Sequence, residues 1–204
     1  MAMKPPRGYV TRLLAIDSET TGLAYNCDDP SYNPNTGEMF QAISWGIIVV
    51  DAVNLLPIEE LYVEIQWDGK SVWSPGAEKI HGLSKQYLAE NGITSTEAVE
   101  QIANLILKHW GPSSPVHVLG HNPWFDLSFL KRLLRSEGLE IKFGNKMVDT
   151  NSIGFAIYDT HNSDDLFEYV GIPSRKDHNA LDDARCALQV LQTTRMIADA
   201  CFGG

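Results

Sequence analysis

Acidic side chains stand at three separate places in the chain where they could hold a metal ion. At the first, Asp17 and Glu19 lie two positions apart, directly behind the apolar run from 12 to 16. If strand geometry continues through them, both carboxylates point to one face and repel each other unless a cation lies between them. Hard divalent ions such as Mg²⁺ bind oxygen ligands of this kind. Taken alone, the pair fits a strand that ends in a solvated acidic turn even better.

The other two places lie at the starts of predicted helices. Asp126 falls in a first helical turn, where an acidic residue also simply complements the helix dipole. His178 precedes Asp182 and Asp183 ahead of the last predicted helix, and histidine suits general-base chemistry because it titrates near neutral pH. Either aspartate could instead be an N-cap, and a lone histidine beside a loop is more often a surface residue. No fragment carries a functional conclusion by itself.

Three apolar or alternating segments predict the strands that must position the first acidic pair. They cover 12–16, 43–50 and 61–67, and three strands in succession indicate a meander. Between the first two lies a polar segment from 24 to 41 that is rich in Asn, Asp, Pro and Gly and predicts a loop.

The second half of the chain predicts helices and one more strand. The expected elements are a helix from the capping box Thr94–Glu97 that ends at Gly111-Pro112, a strand over 116–120, a helix from Pro123 to Gly138 with Asn122 as N-cap, and a helix over about 181–200. This order predicts a mixed α/β sheet with helices packed on it. Such an architecture says nothing about chemistry by itself.

Composition limits the class of protein. With 204 residues, 44% of them apolar, we expect one domain with one core over about 12–200. The net charge of -10 argues against broad electrostatic binding of duplex nucleic acid, although bound metal ions supply positive charge locally. The three cysteines are widely spaced, which indicates neither a disulfide framework nor a zinc finger. With no signal-peptide pattern or membrane-spanning run, we expect a soluble, cytoplasmic protein.

Together, the three acidic fragments resemble the DEDDh family of exonucleases. The shared order is Asp-x-Glu, then an Asp at a helix start, then a His followed five positions later by an Asp. In this chain the motifs are Asp17-Ser18-Glu19-Thr20-Thr21-Gly22-Leu23, His121-Asn122-Pro123-Trp124-Phe125-Asp126-Leu127-Ser128-Phe129-Leu130 and His178-Asn179-Ala180-Leu181-Asp182-Asp183-Ala184. The similarity runs from Leu13 to about Leu191 and includes 77–83. It implies a ribonuclease-H-like α/β fold, which agrees with the predicted meander.

The resemblance also implies catalytic roles. It assigns two Mg²⁺ ions, for which Mn²⁺ would substitute, to Asp17, Glu19, Asp126 and Asp183, and it assigns the general base to His178. Histidine at this position, where a related branch has tyrosine, selects the DEDDh branch. Asp183 is chosen over Asp182 because the family's aspartate stands five places after the histidine and before a small residue, here Ala184.

Further residues are expected to contact the substrate. By resemblance they are Thr20, Thr21, Gly22, Leu23, His81, Asn122 and Phe125. Each has a structural alternative: Gly22 also fits an ordinary turn, His81 a helix cap or core position, and Phe125 core packing. Some relatives carry a Glu five residues before the histidine that matches His81, where this chain has Gly76, so contacts there depart from the family pattern.

Two surface features have a functional interpretation beside a structural one. The 24–41 segment is long for a connection of this kind, which is compatible with a lid over the 3′ end or with a plain surface loop. Arg175 and Lys176 stand just before His178 and would steer phosphates inward. Basic residues of the helix after Asp126, such as Arg132, are more typical of a solvated face.

The resulting hypothesis is a 3′→5′ exonuclease. It would hydrolyse phosphodiester bonds at the 3′ end of single-stranded or frayed DNA or RNA and release nucleoside 5′-monophosphates. The resemblance is also compatible with a polymerase partner and with a homodimer. The alternatives are a catalytically silent nucleic-acid-binding or polymerase-accessory module on the same fold, and a phosphatase or endonuclease that uses the same carboxylates.

Overall fold

The computed structural model describes residues 10–173 and 178–202. Its elements, in chain order, are β1 (Arg12–Thr20), β2 (Ala42–Asp51), β3 (Pro57–Glu64), α1 (Pro75–His81), α2 (Lys85–Asn91), α3 (Ser95–Trp110), β4 (Val118–Gly120), α4 (Pro123–Ser136), β5 (Val148–Asp149), α5 (Thr150–Tyr158), α6 (Ser163–Tyr169) and α7 (Ala180–Phe202).

The strands form one mixed sheet in the order β3-β2-β1-β4-β5. β1, β2 and β3 are an antiparallel meander, whereas β4 runs parallel to β1 and β5 runs parallel to β4. Because β1 and β4 are parallel, their carboxyl ends lie at the same edge of the sheet. The predicted mixed α/β sheet and its meander are confirmed.

Helices cover both faces of this sheet, and β1 contributes side chains to each face. Leu14 and the other even-numbered apolar residues of β1 pack in a core with α3 and α4. Leu13 and the other odd-numbered ones pack against α7. Because successive strand residues point to opposite faces, Asp17 and Glu19 face α7, whereas Ser18 faces α4.

Burial on both faces also explains the sequence of β2. Its residues from Ala42 to Val50 are all buried, so the strand is a nearly continuous apolar run instead of an alternating one. Helices therefore pack on both faces of the sheet, and the carboxyl ends of β1 and β4 lie between α4 and α7.

Several predicted boundaries were wrong. β1 continues to Thr20, so the Asp17–Glu19 motif is inside the strand, and β3 spans Pro57–Glu64 instead of 61–67. The strand predicted over 116–120 is shortened to Val118–Gly120, and α1, α2, β5, α5 and α6 were not predicted. The predicted capping box of α3 is present, with the Thr94 hydroxyl accepting from Glu97 N–H and the Glu97 carboxylate accepting from Thr94 N–H.

Asn122 precedes α4 as predicted, but it does not cap the helix with its side chain. Its φ of 59° is left-handed, a conformation that asparagine tolerates better than most residues. Its backbone N–H donates to Asp149 Oδ1 at 2.9 Å, which ties the start of α4 to the end of β5.

Within the described ranges, no helix combines the length and the apolar character needed to cross a bilayer.

Candidate active site

Two cavities meet at the carboxyl end of β1, and both are lined by Ser18 and Glu19. The smaller has a volume of about 190 Å³ and is lined by Asp17, Ser18, Glu19, His121, Ser163, Phe167, His178 and Asp183. The larger has a volume of about 640 Å³ and lies on the side of α1 and the 24–41 loop. Three of the four predicted metal ligands, Asp17, Glu19 and Asp183, and the predicted base His178 thus border a space beside a second space of ligand size. Asp126, the fourth predicted ligand, is not among the lining residues of either cavity.

Three of the predicted side chains form a compact cluster in the smaller cavity. Ligand atoms of Glu19, His178 and Asp183 all lie within 4.8 Å of one another. His178 Nδ1 is 3.3 Å from Asp183 Oδ2. Two carboxylates and an imidazole at this separation are a donor set suited to a divalent cation, and Asp17 borders the same cavity.

Asp126 enters the site from the opposite face of the sheet. It lies in the first turn of α4 and is only 3% exposed, and its Oδ1 accepts a 2.7 Å hydrogen bond from the Ser18 hydroxyl. The pKa of Asp126 is raised to about 7, chiefly by burial and also by the charge of Glu19, against the lowering effect of the hydrogen bond from Ser18. A buried carboxyl repelled by a second carboxylate is the electrostatic environment that a bound cation relieves.

We expect Asp126→Asn to stabilise the metal-free protein at high pH. The folded-state pKa is raised above its unfolded value, so stability is unaffected below about pH 4 and is lost as pH rises toward 7. Asn removes the ionisable group and still accepts from Ser18. In EDTA at pH 8 the midpoint of thermal unfolding should rise by roughly 5 °C, since the expected gain is about 2 kcal/mol and each kcal/mol corresponds to about 2–4 °C at this size. At pH 4.5, close to the unfolded-state pKa, most of the gain should disappear, and an equal gain at both pH values would contradict the assignment.

Gly46 of β2 determines how closely α7 approaches the sheet. It is paired with Asp17 across the β1–β2 ladder. A Cβ at this position would lie 2.2 Å from the backbone of Ala180 and Leu181, the first two residues of α7. Because Gly46 has no side chain, the first residues of α7 can pack directly against β2. Asp183, in the first turn of α7, is brought to the β1 carboxylates by this contact.

The start of α7 is also capped and anchored. Asn179 Oδ1 accepts from the backbone N–H groups of Leu181 and Asp182. Asn179 is thus the capping side chain, a role that the sequence interpretation had left to Asp182 or Asp183. Asp182 instead pairs with Arg185, which also binds Glu60 of β3.

Gly46→Ala should displace the start of α7 and misplace Asp183. A backbone contact cannot yield as a flexible side chain does, so the variant should unfold at a lower temperature. It should also lose on the order of a hundred-fold in kcat for whatever reaction this site catalyses, because small misplacements in a site have effects of this size. Thermal unfolding and initial-rate assays measure the two effects. Wild-type kcat in a folded Gly46→Ala protein would show that the contact does not position the site.

The larger cavity holds most of the predicted substrate residues. Its lining comes from β1, the 24–41 loop, α1 and α4, and it includes Thr20, Gly22, Leu23, His81 and Phe125. Gly22 has a φ of 147°, and a Cβ there would lie 2.8 Å from the Phe40 ring. This position therefore requires glycine for conformation and for space. His81 is buried, and burial lowers its pKa despite the nearby charge of Glu78.

Two predicted substrate residues do not border the cavities of the described chain. Thr21 is fully buried, and its hydroxyl accepts from Gln41 N–H at 3.0 Å, so its side chain holds the end of the 24–41 loop. Asn122 is exposed, and its backbone is engaged with Asp149. The sequence interpretation had in turn missed Ser18, Gly46 and three loop residues that border the larger cavity, namely Ala24, Asn33 and Glu38. Tyr25 and Phe40, which also border it, belong to the segment that was interpreted as a lid.

The 24–41 loop is anchored to α4 and forms one wall of the larger cavity. Arg132 Nε donates to Ser31 Oγ at 2.6 Å, and its guanidinium lies 3.4 Å from Asp29 Oδ2 and over the Tyr32 ring. The arginine expected on a solvated helix face is thus a structural contact of the loop. Arg175 and Lys176, which were expected to steer phosphates, lie outside the described residues.

Known proteins share this sequence pattern and this fold. The model of the RNase_T exonuclease family matches residues 14–191 of the chain. No curated protein sequence matches it significantly. Exonuclease I from Methylocaldum szegediense superposes with a TM-score of 0.70 at 21% identity, covering 92% of this chain and 41% of that chain.

Two further solved structures were determined with nucleic acid or a nucleotide. E. coli exonuclease I in complex with a dT13 oligonucleotide gives a TM-score of 0.74 at 16% identity, covering 95% of this chain and 43% of that chain. The nuclease domain of 3′hExo, a DEDDh family member bound to rAMP, gives 0.68 at 16% identity and covers 95% of both chains. The chain thus spans less than half the length of the exonuclease I proteins and nearly all of the 3′hExo domain. It belongs to the RNase_T exonuclease family, with the DEDDh motifs and the ribonuclease-H-like fold that its sequence predicted.

Proposed function

We propose that the chain is a metal-dependent 3′→5′ exonuclease that releases nucleoside 5′-monophosphates from a single-stranded or frayed end of DNA or RNA. The observation that carries this proposal is the convergence of Glu19, His178 and Asp183 within 4.8 Å, beside a walled cavity of about 640 Å³. Binding cavities for small ligands span about 300 to 1,000 Å³, a range that includes one nucleotide.

Four carboxylates would hold the divalent cations: Asp17, Glu19, Asp126 and Asp183. Their hard oxygen donors fit two Mg²⁺ ions, with Mn²⁺ as a substitute, and the raised pKa of Asp126 supports a cation at this position. When bound, a pair of such ions would stabilise charge on the attacking and leaving oxygens of the phosphodiester. Ser18 keeps Asp126 oriented through its hydroxyl.

His178 is the candidate general base. With the proton on Nδ1, which faces Asp183 at 3.3 Å, Nε2 keeps its lone pair and accepts a proton from the attacking water. A carboxylate partner both orients an imidazole and stabilises its protonated form. The side chain of His178 is 37% exposed, so water reaches it.

The walls of the larger cavity favour attack at a chain end. β1, the 24–41 loop, α1 and α4 surround this space on several sides, and the loop is fastened by Arg132. A surrounded cavity suits the last nucleotide of a strand, whereas the middle of a strand requires an open groove. Gly22, with no side chain, would let the nucleotide approach the backbone closely.

Digestion of end-labelled substrates tests this proposal. Single-stranded DNA, single-stranded RNA and a mismatched duplex, each labelled at the 5′ end, should be shortened stepwise from the 3′ end in Mg²⁺ or Mn²⁺ but not in EDTA. The soluble products should be nucleoside 5′-monophosphates. Cleavage of a circular single strand would instead identify an endonuclease, and binding with no cleavage would identify a silent module. Association with a polymerase, homodimerisation and a cytoplasmic location stay predictions.

A further inference from the structure

Two tryptophans and a lysine form a cluster between β3 and α2, outside the metal-ligand cavity. Trp67 and Trp73 are both partly exposed, and their ring centroids lie 6.0 Å apart in an edge arrangement. Lys85 Nζ lies 3.8 Å from the centre of the Trp67 ring and 5.3 Å from that of Trp73. We refer to Trp67, Trp73 and Lys85 as the tryptophan ridge.

Hydrogen bonds hold the rings of the tryptophan ridge in place. Trp67 Nε1 donates to the Ser71 carbonyl at 3.0 Å, and Trp73 Nε1 donates to Glu78 Oε2 at 2.6 Å. Asp68 fastens the turn between the rings by accepting from the backbone N–H groups of Lys70 and Ser71. Because both indole N–H groups are already used, a ligand would meet these side chains through their ring surfaces.

The ridge is continuous with the larger cavity. The Trp73 ring contacts the His81 ring at a centroid distance of 6.2 Å, and His81 lines the cavity. Ser74, the neighbour of Trp73 in the chain, lines it as well. A row of rings therefore leads outward from the cavity through His81 and Trp73 to Trp67.

The charge around the ridge differs from that of the whole molecule. The chain carries 26 acidic and 16 basic residues, yet residues 67–85 contain three lysines against two acidic residues, Asp68 and Glu78. Lys70, Lys79 and Lys85 are all exposed, and Glu78 is bonded to Trp73. The ridge is thus a locally positive, aromatic strip on an acidic protein.

We propose that the tryptophan ridge binds the single strand upstream of the terminal nucleotide. Fixed aromatic rings next to lysines are the combination that binds single-stranded nucleic acid, since bases stack on the rings and phosphates contact the cations. When a base stacks on the Trp67 ring, the Lys85 ammonium group would leave that ring and contact a phosphate of the bound strand. This assignment rests on the proposed function, because it takes the larger cavity as the site of the 3′-terminal nucleotide.

Binding of a ten-nucleotide oligothymidylate in EDTA tests the ridge without hydrolysis. Quenching of tryptophan fluorescence or fluorescence anisotropy of a labelled oligonucleotide gives the Kd. We expect Trp67→Ala and Trp73→Ala each to weaken binding roughly ten-fold, the effect typical of one lost base stack. Affinity for thymidine 5′-monophosphate, which fills only the cavity, should stay within about two-fold. Trp124→Ala removes an exposed tryptophan from α4 and serves as the matched control.

Lys85→Gln provides a second and milder variant that keeps the fold. The slope of log Kd against log salt concentration should become shallower by about 0.7, the value for one lost phosphate contact on a single strand. The proposal would be overturned if Trp67→Ala bound the decanucleotide as tightly as the wild type does. It would also be overturned if the variant lost as much affinity for thymidine 5′-monophosphate as for the decanucleotide. If the wild-type protein binds the decanucleotide through these residues but never hydrolyses it, the exonuclease proposal fails while the ridge stands.

Discussion

Asp183→Asn should lower kcat/KM on nucleic acid by about a thousand-fold, whereas Asp182→Asn should leave it unchanged. Asp183 is a proposed metal ligand, and loss of such a ligand would cost several kcal/mol of charge stabilisation in the transition state, where each 1.36 kcal/mol is ten-fold in rate. Asp183 is buried beside Glu19 and His178. Asp182 is its neighbour in the chain, but its side chain is 60% exposed and pairs with Arg185 on the surface.

The two variants are matched because each replaces an aspartate in the first turn of α7 by asparagine and removes one negative charge. Initial rates with a labelled single strand in saturating Mn²⁺ measure the effect, and thermal unfolding in EDTA confirms that both proteins are folded. Wild-type activity in both Asp183→Asn and Asp182→Asn would show that neither aspartate of this turn is a catalytic carboxylate.

His178→Ala should lower kcat by a factor of about 10² to 10⁴ and change KM little, because a general base acts in the transition state more than in substrate binding. The imidazole borders the smaller cavity and is oriented by Asp183. Truncation leaves space there, so added imidazole should restore part of the rate. His117→Ala is a suitable control, since His117 lies at the start of β4 near Lys146 and outside both cavities.

The effects on kcat and KM distinguish a general base at position 178 from a residue that only binds substrate or packs in the fold. If His178→Ala raises KM without lowering kcat, or if imidazole fails to restore any rate, His178 contacts the substrate or supports the fold and another group removes the proton.

Local geometry alone predicted that Asp17 and Glu19 share one face, because strand periodicity places them there. The assignment of Asp126 and Asp183 to the same site came from the resemblance to DEDDh exonucleases, since their approach to Asp17 depends on the pairing of β1 with β4 and on the packing of α7. The capping box at Thr94 and Glu97 is likewise a short-range signal, and it predicted α3. Seven-residue helices such as α1 and α2 are too short for apolar periodicity, although Ser74 before Pro75 is a helix-start signal that could have revealed α1.

Contacts between distant parts of the chain were not predictable. Nothing near Gly46 indicates that the first turn of α7 will rest on it, because that contact exists only after the sheet and the last helix have packed. Arg132 has the spacing of a solvated helix face, yet it binds Ser31 and Asp29 of a loop about one hundred residues earlier. Asn122 has the sequence of an N-cap and adopts a left-handed backbone conformation instead, since Asp149 takes its N–H.

The most direct test of the central claim is anomalous diffraction from crystals of this protein grown with Mn²⁺ and a nucleoside 5′-monophosphate. The account predicts two manganese peaks about 3.5 to 4 Å apart, bordered by Asp17, Glu19, Asp126 and Asp183, with the nucleotide in the cavity walled by the 24–41 loop. Absence of any manganese beside these four carboxylates, together with nuclease activity that persists in EDTA, would contradict it.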